Sequence, residues 1–199
     1  MKRVAVLVSG GGTNLQALID ASAKGEMPSV ELALVVSSKS DVTALDRAQR
    51  AGIPSCVVRK KDFASAEDFD TALLDTLKDH KIDVVVLAGY LVIVGDKVLS
   101  AYRDRILNVH PSLIPAFCGD GFYGLRVHEA ALERGVKVTG ATVHFVNEIT
   151  DGGRIIAQKP ISVNDDDTPE TLQKRVMEQC EWKLLPKAVE TVCLQLMMN

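Results

Sequence analysis

Asn108 and His110 stand two residues apart in the run Asn108-Val109-His110-Pro111-Ser112-Leu113-Ile114-Pro115. On a strand that spacing aims both side chains at one face. The prolines then end the strand and hold the next stretch of chain open. A neutral amide donor beside a titratable imidazole suits a reaction in which a carbonyl carbon becomes tetrahedral. One group can hold the developing oxyanion while the other moves protons, which points to acyl or formyl transfer. Asp151, in the later polar turn Asp151-Gly152-Gly153, gains interest as a partner for that histidine.

Such a pair needs a rigid support, and the pattern of the chain supplies one. Apolar strands read at Val4 to Ser9, Val30 to Ser37, Pro54 to Val58, Val84 to Ala88 and Ile106 to Val109, and helical spacing falls near 42 to 51, 66 to 80 and 95 to 103. Strands apolar on both faces and separated by helices imply an α/β fold with a mostly parallel sheet wound on both sides. His110 then lies at the carboxyl end of an inner strand, where open α/β sheets present their ligands. A short helix is expected over Leu125 to Arg134, followed by an antiparallel pair, Lys137 to Val146 and Arg154 to Val163. Thr168-Pro169-Glu170 reads as the N-cap and first turn of a long C-terminal amphipathic helix, and Asp165-Asp166-Asp167 before it as a solvated turn rather than a metal site.

Gly10-Gly11-Gly12-Thr13-Asn14 joins the first strand to the first helix. Backbone N–H groups free of Cβ obstruction at the positive end of a helix dipole suit a phosphate, with Thr13 and Asn14 able to cap the helix or surround the anion. A dinucleotide fingerprint would place a glycine at Leu15 and an acid near Ser37, Ser38 and Lys39. A mononucleotide loop would carry Gly-Lys-Ser/Thr. A single phosphomonoester is the better fit.

The 199 residues are 47% hydrophobic and 25% charged with formal net charge −3, ordinary for one globular domain, and no linker divides them. The expected organisation is a single domain over 1–199, with a phosphate-binding half at about 1–105 and a catalytic half at about 84–199. No apolar run reaches membrane-spanning length, and Lys2 and Arg3 precede an apolar run too brief for a signal peptide, so a cytoplasmic protein is expected. Without a basic block, nucleic acid and membrane are not expected partners. Cys56, Cys118, Cys180 and Cys193 are spaced for neither a disulfide framework nor zinc, and are expected to be reduced and mostly buried.

Together, Asn108 to Pro115, Thr142-Val143-His144-Phe145-Val146, Asp151-Gly152-Gly153 and Ser9-Gly10-Gly11-Gly12-Thr13-Asn14-Leu15-Gln16 make this sequence resemble the folate-dependent formyltransferases, in the branch that acts on phosphoribosylglycinamide. The resemblance covers nearly the whole chain. It implies a Rossmann-like formyltransferase domain, 10-formyltetrahydrofolate as formyl donor with no metal, and a monomer or homodimer working on small molecules in purine biosynthesis. It further implies that Gly12, Thr13 and Asn14 hold the ribonucleotide phosphate, and that Asn108 and a protonated His110 stabilise the oxyanion. Asp151 would orient His110 and favour its charged form. Leu91, Val92, Ile93 and Val94, together with Asn108, would form the folate pocket. Glu181 aligns with a family acid that contacts the ribonucleotide, at a spacing longer by one residue; as an isolated residue it reads as a solvated helix position.

The chain departs from the family pattern at several points. Ala66 stands where some members carry an arginine, whose charge Lys60 or Lys61 is expected to supply, and Val92 replaces the usual arginine of the folate segment. Arg154 stands where proline is common, and the loop Phe117 to Gly124 is longer. Within the superfamily, a methionyl-tRNA formyltransferase would call for a further C-terminal domain and a basic surface, and a formyltetrahydrofolate hydrolase for an N-terminal regulatory domain. An oxidoreductase lacks its third glycine. A non-catalytic folate or phosphate-binding module would keep the glycine turn and apolar pocket without requiring His110 and Asp151 together.

Overall fold

The computed structural model describes residues 1–198. Seven strands form one sheet in the order β3-β2-β1-β4-β5-β6-β7. β1 (Lys2–Val8), β2 (Val30–Ser37), β3 (Ser55–Val57), β4 (Val84–Leu87) and β5 (Ile106–His110) run parallel. β6 (Val138–Phe145) and β7 (Ile155–Ser162) continue the sheet antiparallel, as the length of their connection predicts. Pro160 sits in β7, an edge strand, where its missing N–H costs least.

The alternation of β1 decides how helices cover the sheet. Val4, Val6 and Val8 face a core shared with α1 (Thr13–Ala23), α2 (Thr43–Arg50), α6 (Pro169–Val176) and α7 (Trp182–Met198), whereas Ala5 and Leu7 face a core shared with α3 (Ala66–Asp79) and α4 (Asp96–Ala101). Both faces are dry, which is the condition for a parallel sheet. α5 (Leu125–Arg134) takes its expected limits and ends at Gly135 in the left-handed conformation.

Two expectations for the C-terminal segment need correction. Thr168 caps α6 with Pro169 in its first turn as expected, but Asp167 is not solvated: its carboxylate folds back onto Arg175 and accepts the Asn164 N–H. The long helix is also not uniform, because Met177–Glu181 forms a π-helical turn between α6 and α7. Such a turn takes in one residue more than an α-turn. Of the four free cysteines, Cys180 and Cys193 are buried, and Cys56 and Cys118 are half-buried.

Because β1, β4 and β5 are adjacent and parallel, their carboxyl ends bring three segments to one rim: the glycine turn, Gly89 to Val94, and the residues after His110. The chain reverses direction in the sheet order between β1 and β4, the place where open α/β sheets leave a crevice.

Candidate active site

β5 carries Asn108 and His110 on one face, the first half-buried and the second buried. Antiparallel pairing sets Asn108 opposite His144 and His110 opposite Thr142 on β6. The Thr142 hydroxyl donates to the Ser112 carbonyl at 2.7 Å and accepts the Ile114 N–H at 3.1 Å. The chain beyond Pro111 is thereby fixed against β6.

Asp151 arrives from the turn between β6 and β7. Its φ of +54° is left-handed, a conformation that a short polar side chain tolerates better than most. Gly153, two residues on, presses so closely on β6 that an added Cβ would lie 1.7 Å from the Phe145 carbonyl oxygen. One Asp151 oxygen lies 3.4 Å from His110 Nδ1, and the other 3.4 Å from both His144 Nε2 and Asn108 Nδ2. The Gly119 N–H donates to the carboxylate at 2.9 Å, and the Phe117 carbonyl stands 2.8 Å from His110 Nε2. The longer loop thus supplies partners to two candidate catalytic residues.

Charge in this cluster is set by competition. Burial draws the His110 imidazole below its ordinary pKa; the Asp151 carboxylate and Phe117 carbonyl oppose that, and the nearby His144 adds to it. Asp151 does pull towards the charged ring, but burial outweighs it and the net direction is downward. Burial pushes Asp151 upward, yet its hydrogen bonds from His144 and Gly119 and the nearby imidazoles hold it below the usual carboxylate value. The resting arrangement is a neutral imidazole facing an ionised carboxylate.

Two histidines join the cluster without a sequence-based assignment. His144 places Nδ1 2.8 Å from the Phe145 carbonyl and Nε2 3.2 Å from Asn108 Nδ2. Its signal was available: Thr142 and His144 repeat on β6 the two-residue spacing of Asn108 and His110. His128 on α5 is fully buried with neither ring nitrogen partnered among the described residues, and burial, followed by the charge of His110, draws it down to about 4. Nothing local in the sequence marks it out.

A cavity of about 500 Å³ is lined by Asn14 and Glu181 at a polar end, by Leu91 through Val94 at an apolar end, and by Asn108, His110 and Asp151. At the first end the π-helical turn aims Glu181 inward. Glu181 is only 6% exposed rather than solvated, and the Asn14 amide donates to its carboxylate at 2.6 Å. Burial raises the Glu181 pKa, and the Asn14 hydrogen bond partly offsets the rise. At the other end Leu91 and Ile93 are 60% and 80% exposed, while Tyr90 and Val94 are buried.

The glycine turn differs in detail from expectation. Gly12 has φ +71°, and a Cβ there would meet the Ala44 Cβ at 2.7 Å. The Gly10 and Gly11 carbonyls are taken by the Ala44 N–H and Arg47 Nε, and α1 begins with no side-chain cap, so its first amides are left free of intrahelical partners. Thr13 and Asn14 do not cap the helix; Asn14 is turned to Glu181 and Thr13 towards Met177. Of the three residues expected at the phosphate, Asn14 lines the cavity, whereas Gly12 and Thr13 stand outside it.

The departures from the family pattern also find their places. Val92 lines the cavity, whereas Lys60 and Lys61 are exposed in a short 3-10 turn outside it and supply no charge there. Ala66 begins α3 at the surface, and the Arg154 guanidinium lies 4.7 Å over the Phe145 ring.

Residues 2–189 match the formyl transferase family. The chain belongs to that family. Its formyl transferase fold is similar to the crystal structure of glycinamide ribonucleotide transformylase 1 from Symbiobacterium toebii, with a TM-score of 0.92 and 41% identity over 98% of this chain and 89% of that one. It is 40% identical to the phosphoribosylglycinamide formyltransferase of Haemophilus influenzae over 190 residues, covering 96% of this chain and 86% of that protein. It is 44% identical to the human trifunctional purine biosynthetic protein adenosine-3 over 190 residues, 96% of this chain but 18% of the human protein's length. No helix among the described residues of this formyl transferase is long and apolar enough to cross a membrane.

Proposed function

We propose that this chain transfers the formyl group of 10-formyltetrahydrofolate to the amine of phosphoribosylglycinamide, a step of purine biosynthesis. The observation that carries the reading is the convergence of Asn108, His110 and Asp151 in the wall of a cavity with a polar end at Asn14 and Glu181 and an apolar end at Leu91 to Val94. In this reading the acceptor's ribose and phosphate lie towards Glu181, Asn14 and the free amides of Gly12 and Thr13. The donor's pterin lies against Leu91, Val92, Ile93 and Val94, with Asn108 at its reacting end. The exposed apolar side chains and open backbone of that wall suit a flat heteroaromatic ring.

The glycinamide amine attacks the formyl carbon, and a C–N bond forms as the carbonyl electrons move to oxygen. Asn108 Nδ2 donates to the oxyanion. His110, neutral at rest, takes the proton that the amine sheds; as an imidazolium it adds a second donor to the oxyanion and faces Asp151, which stabilises its charge. Collapse breaks the bond to the folate nitrogen, which leaves with the proton from His110. The small-molecule character of both substrates and a cytoplasmic setting belong to the same reading, as does a division of the single domain into a phosphate-binding half near 1–105 and a catalytic half near 84–199.

The test is formyl transfer from 10-formyltetrahydrofolate to phosphoribosylglycinamide, followed by tetrahydrofolate release with and without the acceptor. Release that requires the acceptor supports the transferase. Release without it indicates a hydrolase, and binding of both ligands without release indicates a binding module. Because His110 works from its neutral form, kcat/KM is expected to rise with pH, with the midpoint of the rise below the ordinary imidazole pKa.

A further inference from the structure

The segment from Ala88 to Gly95 joins β4 to α4 as neither helix nor strand, yet it presents Leu91 and Ile93 to the cavity. Exposed apolar side chains on an irregular segment do not hold themselves in place, because nothing packs over them. Two buried side chains from other elements do the holding. At one end the Leu91 N–H donates at 2.9 Å to the hydroxyl of Ser9, which is itself 2.6 Å from the Ser38 hydroxyl. At the other, Asp70 of α3 spreads its carboxylate across the start of α4: Gly95 N–H donates to Oδ1 at 3.1 Å and Lys97 N–H to Oδ2 at 2.7 Å.

Asp70 is buried, and α4 has no cap from its own sequence. The fit is close enough that a Cβ on Gly95 would lie 2.4 Å from Asp70 Cγ. An ionised carboxylate that accepts two backbone N–H groups in a buried place makes charge-assisted bonds, roughly twice the strength of neutral ones. It fixes where the irregular segment ends. Ser9 fixes it at Leu91, and between the two pins lie only Val92, Ile93 and Val94, which line the cavity.

We propose that Asp70, acting with Ser9, is the positioning residue for the apolar wall that receives the formyl donor; this rests on the formyl-transfer reading above. Asp70 touches no substrate. It acts by keeping Leu91 and Ile93 at a fixed depth in the cavity, so its loss is felt at one substrate only.

The experiment compares steady-state constants of the full chain and its Asp70→Ala and Asp70→Asn variants with 10-formyltetrahydrofolate and phosphoribosylglycinamide. Asp70→Ala is expected to raise the donor KM about tenfold or more, with the acceptor KM and kcat within about twofold; Asp70→Asn, whose amide oxygen still accepts one N–H, falls between. Gly95→Ala, which displaces the carboxylate while keeping it, gives the same split and serves where Asp70→Ala fails to fold. Amide hydrogen exchange in Asp70→Asn should quicken at Leu91, Gly95 and Lys97 ahead of the rest of the sheet. A donor KM that stays at the wild-type value, or a uniform change in kcat and both KM values, overturns the proposal while leaving the transferase reading intact. Absence of wild-type turnover overturns both.

Discussion

At its Asn14 end the cavity is closed by a buried amide and a carboxylate 2.6 Å apart, held by one helix start and one π-helical turn. At its Leu91 end it is walled by apolar side chains on an irregular segment pinned from outside. The first end carries its cost at rest: Glu181 is buried with one hydrogen-bond partner, and the Asn14 oxygen has none among the described residues. A polar ligand that satisfies those atoms recovers that cost, which makes this end selective for hydroxyl and amine groups. The second end gains from covering exposed Leu91 and Ile93, a contribution that is graded and tolerant of shape. In the proposed reading, the contrast lets one cavity be strict about its acceptor and permissive about the outline of its donor.

Asn108 belongs to neither end, and its removal should cost more than a change at either end. Asn108→Ala is expected to lower kcat about 10²- to 10³-fold while both KM values change little, read by steady-state kinetics. If one KM rises as steeply as kcat falls, the separation between ends and centre is wrong. His128, beneath the centre, is a test of burial without a ligand. Its folded pKa of about 4 lies below the ordinary 6.5, so the unfolded chain binds more protons between those values. Stability is then present above about pH 6.5 and lost as pH falls towards 4, by on the order of 3 kcal/mol in denaturant titrations. His128→Phe should flatten that dependence.

Glu181→Gln sharpens the contrast at the polar end. It keeps an oxygen for the Asn14 amide but removes the charge, and is expected to raise the acceptor KM about 10- to 100-fold with the donor KM unchanged. Since burial raises the Glu181 pKa, the folded chain holds that proton more tightly than the unfolded chain. Its contribution to stability therefore falls as pH rises above the ordinary 4.5, and the glutamine variant should be the more stable at neutral pH by thermal unfolding. At the apolar end the effect is smaller. Ile93→Ala should raise the donor KM about 5- to 10-fold and leave melting temperature and acceptor KM alone, because an 80% exposed side chain holds nothing in the unliganded fold. A comparable rise in acceptor KM would remove the distinction between the ends.

What the sequence made legible follows the same division. Strands buried on both faces announce themselves as apolar runs, so the parallel sheet and the place of His110 at its rim could be read directly, as could α5 and the Thr168 cap. The two-residue spacing of Asn108 and His110 carried their common face. Partnerships across the fold were less accessible. Asp151 could be offered only as a candidate partner for the histidine, and the family resemblance gave it a role, since 41 positions, one helix and one strand separate it from His110. His144 shares a two-residue spacing with Thr142, but its place opposite Asn108 comes from strand register, which that spacing does not specify. Glu181 read as solvated because a helical wheel drawn without the π-helical turn faces it outward, and Asp167 because its partner Arg175 lies on the far side of a helix start. Of the two roles open to Thr13 and Asn14, helix capping and surrounding an anion, capping is not taken up for a related reason: a distant carboxylate and a thioether compete for side chains that local rules would assign to the helix.

The central claim is that the Asn108, His110 and Asp151 cluster performs formyl transfer between two independently built binding ends. The most direct measurement is a single-turnover quench of His110→Ala preloaded with 10-formyltetrahydrofolate and phosphoribosylglycinamide, with the dissociation constant of each substrate determined on the same preparation. The account predicts transfer slowed about 10³- to 10⁴-fold, with both dissociation constants within about threefold of the wild type. Transfer at the wild-type rate, or loss explained entirely by failure to bind either substrate, would contradict it.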